Sequence, residues 1–356
     1  MQRASHPQCA VPLRILFAGT PGIAVPALEA IVRMDNSAEG FTLAGLLTNP
    51  DRAKGRSGKP EPGECAAALR RISPSIPILD PEKLDAAARE QAAALKPDLL
   101  VSFAYGKMFG PKFLALFPMG GINIHPSLLP KYRGPSPIPA AILNRERETG
   151  ITIQKLAAEM DSGDILVQQP VPLNGRETTA NLSETMAHKA AAMLGAALRG
   201  IADGTLKAQP QDHNAASYCS LLAKEDGIIN WSDSAAEIEA RIRAFNPWPL
   251  CQTRHGELEL FIHQGEALGA LSAHLTQVGG QRGGADKQTE CSLEVRGEAS
   301  PPHPGQVLGK DHDKGILIQT GDGILAAGEL QYRTKKALDW KTFLNGARNF
   351  IGATLG

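Results

Sequence analysis

The stretch 120–134, "GGINIHPSLLPKYRG", is a short apolar run that delivers an asparagine and a histidine and then continues into a proline-fixed, basic loop. A strand that had only to pack would have no use for that cluster. Asn123 and His125 stand two residues apart, and the period of a strand turns both side chains to the same side. In an open parallel sheet, ligands bind where strands end at their carboxyl edge. An amide and an imidazole at such an end can converge on one atom.

Outward from this stretch, apolar runs alternate with helical patterns. "RILFAG" (14–19), "FTLAGLLT" (41–48) and "DLLVSFA" (98–104) read as strands, with helices near 24–34 and from about 61. "GITIQKL" (150–156) and "DILVQQPVPL" (164–173) predict a closing pair of strands, and an Ala-rich helix over 179–202 ends the unit. This is the pattern of an α/β domain with a parallel-rich sheet over 14–205, preceded by a tail of 1–13. Residues 206–216 are polar and without period, and read as a linker. Over 217–356 the character changes. "AAEIEARIRAF" places Ile238, Ile242 and Phe245 on one helical face, and "ELELFI", "GILIQT" and "GILAAGELQ" suggest a small β-barrel or sandwich. Within it, about 279–304 is rich in Gly, Pro and charge and reads as an exposed insertion.

A chain of 356 residues is long enough for two domains with their own cores. Lys+Arg and Asp+Glu are equal at 37 each, so any nucleic-acid contact must come from local patches. The cysteines (Cys9, Cys65, Cys219, Cys251, Cys291) are odd in number and form no CxxC, which fits reduced thiols rather than disulfides or zinc. The N-terminal stretch lacks a signal-like apolar core, and no run approaches the roughly 20 apolar residues of a membrane span. The expectation is a cytoplasmic protein with no membrane contact.

"EMDSGDIL" adds Asp161, in a Gly-containing turn before another strand. Amide, imidazole and carboxylate have complementary uses. The amide donates to a developing oxyanion, the imidazole moves a proton, and the carboxylate orients and charges the imidazole. A lone strand-end histidine is nevertheless more often structural, and Asp161 could be a turn residue, so these residues alone leave both readings open. "AGTPG" lacks the G-x-G-x-x-G spacing, which argues against a nicotinamide-dependent oxidoreductase. "NPDRAKGRSGK" carries Arg52, Lys54, Arg56 and Lys59, either a solvated loop or a phosphate-holding one on the same sheet edge as Asn123. "QYRTKKALDWKTFL" adds Arg333, Lys335, Lys336 and Lys341 as a second local patch.

"NIHPSLLPKYRG", "ETGITI" and "MDSGDILVQ" together resemble the folate-dependent formyltransferase family. "TNPDRAKGR", "SFAYGKM", "IRAFNPWP", "GDGILAAGELQ" and "KKALDWKTFLNG" are similar to the two-domain members acting on charged initiator tRNA, over about 14–346. The resemblance implies a Rossmann-like catalytic domain joined to a C-terminal domain with an oligonucleotide-binding (OB-like) type of barrel. It implies 10-formyltetrahydrofolate as formyl donor, initiator methionyl-tRNA as acceptor, no metal, and a monomer. It assigns catalysis to Asn123, His125 and Asp161. It lines the folate site with Ser127, Leu128, Leu129 and Pro130, and with the backbone of Phe103, Ala104, Tyr105 and Gly106. It gives tRNA contact to Arg52, Arg56 and Lys59, with Arg333, Lys335 and Lys336 as the second patch. The alternative acceptor within the family is an amino sugar nucleotide. Gly22, Ile23, Tyr132 and Pro139 depart from the residues that the family usually carries.

Overall fold

Residues 12–37, 40–53, 58–269 and 301–356 are described by the structure, a computed structural model. They form two compact units. The first runs through Ile138 and includes Arg147–Leu173 and Asn181–Leu221; the second takes Pro139–Glu146, Asn174–Ala180 and Leu222–Gly356.

In the first unit the apolar runs become strands because nearly every side chain finds cover. β1 (Leu13–Ala18), α1 (Val25–Asn36) and β2 (Phe41–Leu47) open the unit. A two-rung ladder of β3 (Arg52–Ala53) and β4 (Pro60–Glu61) follows. Then come α2 (Glu64–Ile72), β5 (Ile78–Leu79), α3 (Ala86–Ala94), β6 (Leu99–Phe103), α4 (Pro111–Leu114) and β7 (Gly121–His125). Asp85 caps α3 by accepting from the Ala88 amide at 3.0 Å. α5 (Pro137–Leu143), β8 (Glu148–Lys155), β9 (Ile165–Pro172) and α6 (Thr179–Ala202) complete the order to residue 202. The sheet order is β5-β2-β1-β6-β7-β8-β9. β5 through β7 pair in parallel, and β7-β8 and β8-β9 pair antiparallel. All five residues of β6 are buried, as expected of a central parallel strand covered on both faces. Strand order reverses about β1, the kind of switch point at which such sheets bind ligands.

The stretch read as a linker, 206–216, belongs to the first unit. Gln209 exchanges backbone hydrogen bonds with Ile165 of β9, both at 2.8 Å, and Gln211 is buried. Most of its polar residues are solvent-exposed, and Gln211 is the one whose side chain is bonded inside the protein. The division between units falls after Leu221.

In the second unit α7 (Ala235–Ala244) starts at a capping box, in which Ser234 and Glu237 satisfy each other's backbone amides. Ile238, Ile242 and Phe245 are buried, as the helical spacing requires. β10 (Cys251–His255), β11 (Leu258–Leu268), β12 (Val307–Asp311), β13 (Gly315–Gln319) and β14 (Ile324–Tyr332) pair antiparallel in the order β10-β11-β14-β13-β12. β15 (Leu338–Asp339) pairs with β14, and α8 (Trp340–Gly346) follows, capped by Asp339. This antiparallel set is compatible with an OB-like barrel. Of the expected insertion, 279–300 lies outside the described residues. No helix among the described residues is long and apolar enough to cross a membrane.

Candidate active site

β7 and β8 assemble the centre of the site by their register. Asn123 lies opposite Gln154, and His125 opposite Thr152. Cross-strand partners share a face, so these four polar side chains line one side, while Ile122, Ile124, Ile151 and Ile153 fill the other. The turn between β8 and β9 then returns Asp161 to the same side, with Asp161 itself at φ +52°. That left-handed conformation is one that aspartate tolerates better than most residues. Gly163, two residues on, has no room for a side chain: a Cβ there would lie 1.9 Å from the Lys155 carbonyl oxygen.

The Asp161 carboxylate is held from several directions. Oδ1 accepts from Asn123 Nδ2 at 3.2 Å and from Gln154 Nε2 at 2.9 Å. Oδ2 accepts from the Gly134 amide at 2.9 Å and lies 3.6 Å from His125 Nδ1. His125 is buried, and its Nε2 bonds the Tyr132 carbonyl at 2.8 Å. A carbonyl only accepts, so Nε2 carries a proton. Nδ1, the nitrogen facing Asp161, is therefore the one that can gain or lose a proton. Burial lowers the imidazole below its ordinary value, against the opposing pulls of the Asp161 charge and the Tyr132 carbonyl. With four groups within hydrogen-bonding or ion-pair range of one carboxylate, the set has the parts needed to polarise a carbonyl and pass a proton.

The loop after β7 is pinned to β8. Thr152 Oγ1 donates to the Ser127 carbonyl at 2.7 Å and accepts from the Leu129 amide at 3.1 Å. Ser127 Oγ donates to the Lys131 carbonyl at 2.6 Å. The side chains of Ser127 and Leu129 are thus buried within the fold, and Leu128 and Pro130 are the half-buried members of the four. Phe103, the last residue of β6, and Tyr105 are buried, Ala104 is exposed at φ +52°, and Gly106 has φ +82°. The Tyr105 carbonyl accepts from Asn49 Nδ2 at 2.6 Å, and burial pushes its hydroxyl up to about 12.

The expected cationic residues are less uniform. Arg52 and Lys59 are exposed beside the β3–β4 ladder, and Arg56 lies outside the described residues. In the second unit Lys335 and Lys336 are exposed, whereas Arg333 Nη1 bonds both oxygens of Glu259 at 2.6 Å, which offsets its charge. Burial pushes the Cys65 and Cys251 thiols up to about 12, leaving them inert at neutral pH. No group of three or more metal-ligating side chains occurs among the described residues.

Reading the sequence did not single out Gln154, Gln211 or Arg133. Gln154 had a signal, since Thr152 and Gln154 alternate with isoleucines on a strand whose six central residues are all buried. Gln211 sits in an apparent linker with no local pattern. Arg133 is only 1% exposed, and its partners are Gln211, Tyr218 and His213, which only folding brings near.

An N-terminal α/β unit with this polar set at its strand ends, followed by a unit with an antiparallel sheet, defines a class. The formyl transferase family matches residues 13–198 and the formyl transferase C-terminal domain matches 221–348, and the chain belongs to that family. A protein of Treponema denticola named methionyl-tRNA formyltransferase is 46% identical over 345 residues, covering 95% of this chain and 98% of its own length. Among solved structures, HypX from Aquifex aeolicus in complex with tetrahydrofolic acid matches at TM-score 0.56 and 17% identity, over 95% of this chain and 48% of HypX. The present chain therefore spans about half of that protein. The N-formyltransferase from Helicobacter canadensis, in complex with folinic acid and dTDP-3-aminofucose, matches at TM-score 0.57 and 19% identity, over 88% of this chain and 99% of its own. At those identities the two structures speak to the fold alone.

Proposed function

We infer that the chain transfers a formyl group from a folate donor, 10-formyltetrahydrofolate, to the α-amine of methionyl-initiator-tRNA. The observation that carries the reading is the meeting of Asn123, His125 and Asp161 at the ends of β7 and β8, in a chain closely similar over nearly its whole length to a protein named for this activity. All three side chains belong to one unit of one chain, so the reading needs no second subunit, and we propose a monomer. A charged tRNA as substrate places the reaction in the cytoplasm.

The residues fit such a donor. Asn123 has a second N–H beyond the one donated to Asp161, available to the formyl oxygen as charge develops on it. An oxyanion donor of this kind is worth about 10²–10³ in rate. His125 supplies a proton from Nδ1 to the departing folate nitrogen, which is a poor leaving group as an anion. General-acid help of this kind is worth roughly 10²–10⁴. Asp161 holds the ring and favours its charged form. Leu128 and Pro130, half-buried, are the apolar wall that we assign to the folate, together with main chain at Phe103–Gly106. Arg52, Arg56 and Lys59 are the proposed contacts to tRNA phosphates, with Lys335 and Lys336 as a second patch and Arg333 weakened by Glu259.

The test is direct. Purified protein with formylated tetrahydrofolate and charged initiator tRNA should yield formylmethionyl-tRNA, while an aminodeoxy-sugar nucleotide should yield no product. Transfer to the sugar amine and none to tRNA would replace this acceptor with the alternative one.

A further inference from the structure

The two glutamines beside Asp161 have orientations dictated by a buried arginine. Arg133 carries donors only, and its Nε and Nη2 both point at Gln211 Oε1, at 3.1 and 2.7 Å. Gln211 must therefore turn its Nε2 the other way. There it meets acceptors only: Gln154 Oε1 at 3.1 Å, the Asp161 carbonyl at 2.9 Å and the Gly163 carbonyl at 2.7 Å. With its Oε1 so occupied, Gln154 must present Nε2 to Asp161 Oδ1, at 2.9 Å. Reversing either amide would set oxygen against oxygen at one end and, for Gln211, nitrogen against the guanidinium at the other. Arg133, Gln154 and Gln211 are 1%, 1% and 5% exposed, so water cannot substitute for a missing partner. Among the described residues no carboxylate comes within ion-pairing distance of Arg133; its other contacts are the Tyr218 hydroxyl at 3.2 Å and His213 Nδ1 at 3.3 Å.

We propose that Arg133, Gln211 and Gln154 form a one-way hydrogen-bond relay that orients the Asp161 carboxylate, with Gln154 as its final positioning residue. The proposal rests on the role given to Asp161 above and extends it. The relay delivers one fixed N–H to Oδ1, and Gln211 ties down the backbone on either side of Ser162. Oδ2 is thereby turned toward His125 Nδ1. The titratable groups facing Asp161 are His125 from β7 and the Cys219 thiol, which lies within its electrostatic reach. Arg133 and His213 stand behind the glutamines.

Gln154→Met removes the donor at nearly constant volume. An N–H donated to a carboxylate favours its charged form, so the acid limb of the pH–kcat/KM profile should move upward by roughly one pH unit. The rate should recover to within a few-fold of wild type at higher pH. A merely structural role would lower the rate equally at every pH. Gln154→Glu, which is isosteric, supplies the second reading should the methionine variant fold poorly. It can donate to Oδ1 only while protonated, so it should add a loss of rate as pH rises on top of the wild-type decline that His125 deprotonation sets. A Gln154→Met profile that superimposes on the wild type after scaling, in a protein with normal unfolding, overturns the relay. If the methionine variant does not fold, a Gln154→Glu profile whose alkaline decline matches the wild type does the same. Asp161→Asn is measured alongside: activity retained there would refute the reading of the site itself, whereas an inactive Asp161→Asn with an unmoved Gln154→Met limb refutes only the relay.

Discussion

Replacing Asp161 with asparagine changes one atom and tests most of the site. The carboxylate accepts from Asn123 and Gln154 on Oδ1 and from the Gly134 amide on Oδ2. Asparagine has a single oxygen. Placed at Oδ1, it keeps two partners, but its NH2 then confronts the Gly134 amide. Placed at Oδ2, it keeps Gly134 and confronts two side-chain donors. The first arrangement is cheaper and still leaves a backbone N–H without its acceptor, a loss of about 1–3 kcal/mol in stability. The catalytic effect is larger. The Asp161 charge is the strongest influence raising His125 against burial, and without it the ring, already held below its ordinary value, carries the Nδ1 proton still more rarely and delivers it less often. Loss of a general acid lowers the rate roughly 10²–10⁴-fold. Formyl transfer to charged tRNA at pH 7, beside urea unfolding, measures both quantities. A variant within tenfold of wild-type kcat/KM and unchanged in stability would refute the hydrogen-bonding scheme and the proton role together.

Further outcomes follow from the same geometry. Because burial lowers His125 below its ordinary 6.5, the unfolded chain binds that proton more readily, and stability should fall as pH drops below about 6.5. Urea midpoints at pH 7.5 and 5.5 should show a smaller fall in His125→Gln; equal losses would contradict the assignment. Gly163→Ala forces a Cβ against the Lys155 carbonyl oxygen and should destabilise by about 1–3 kcal/mol, shifting the Asp161 turn and lowering kcat; wild-type thermal melting would refute it. Arg52→Ala and Arg56→Ala should each lower kcat/KM for tRNA and reduce the log–log salt slope by about 0.7–0.9, with folate affinity unchanged. A slope identical to wild type would return those cations to solvent.

The alternation of apolar runs with helical patterns was legible directly, because a strand such as β6 buried on both faces must read as a continuous apolar run. The period-2 placement of Asn123 and His125 was legible for a similar local reason. The helix over Thr179–Ala202 is likewise written in contiguous residues. Asp161 was visible as a candidate carboxylate and equally as a turn residue; its approach to His125 depends on the β7–β8 register and on a β8–β9 turn too tight to admit a side chain at Gly163.

Local sequence thus suffices for the α/β unit, the second β-rich unit, and the strand end that carries an amide and an imidazole. These rest on contacts between near neighbours and on periodicity. Tertiary structure alone decided that a polar stretch resembling a linker would bury Gln211, and that Arg133 would meet it from 78 residues away. It also decided which way each glutamine amide points. The physical reason is that a buried polar side chain is specified by the partners that satisfy it, and those partners lie in distant segments that share no local pattern.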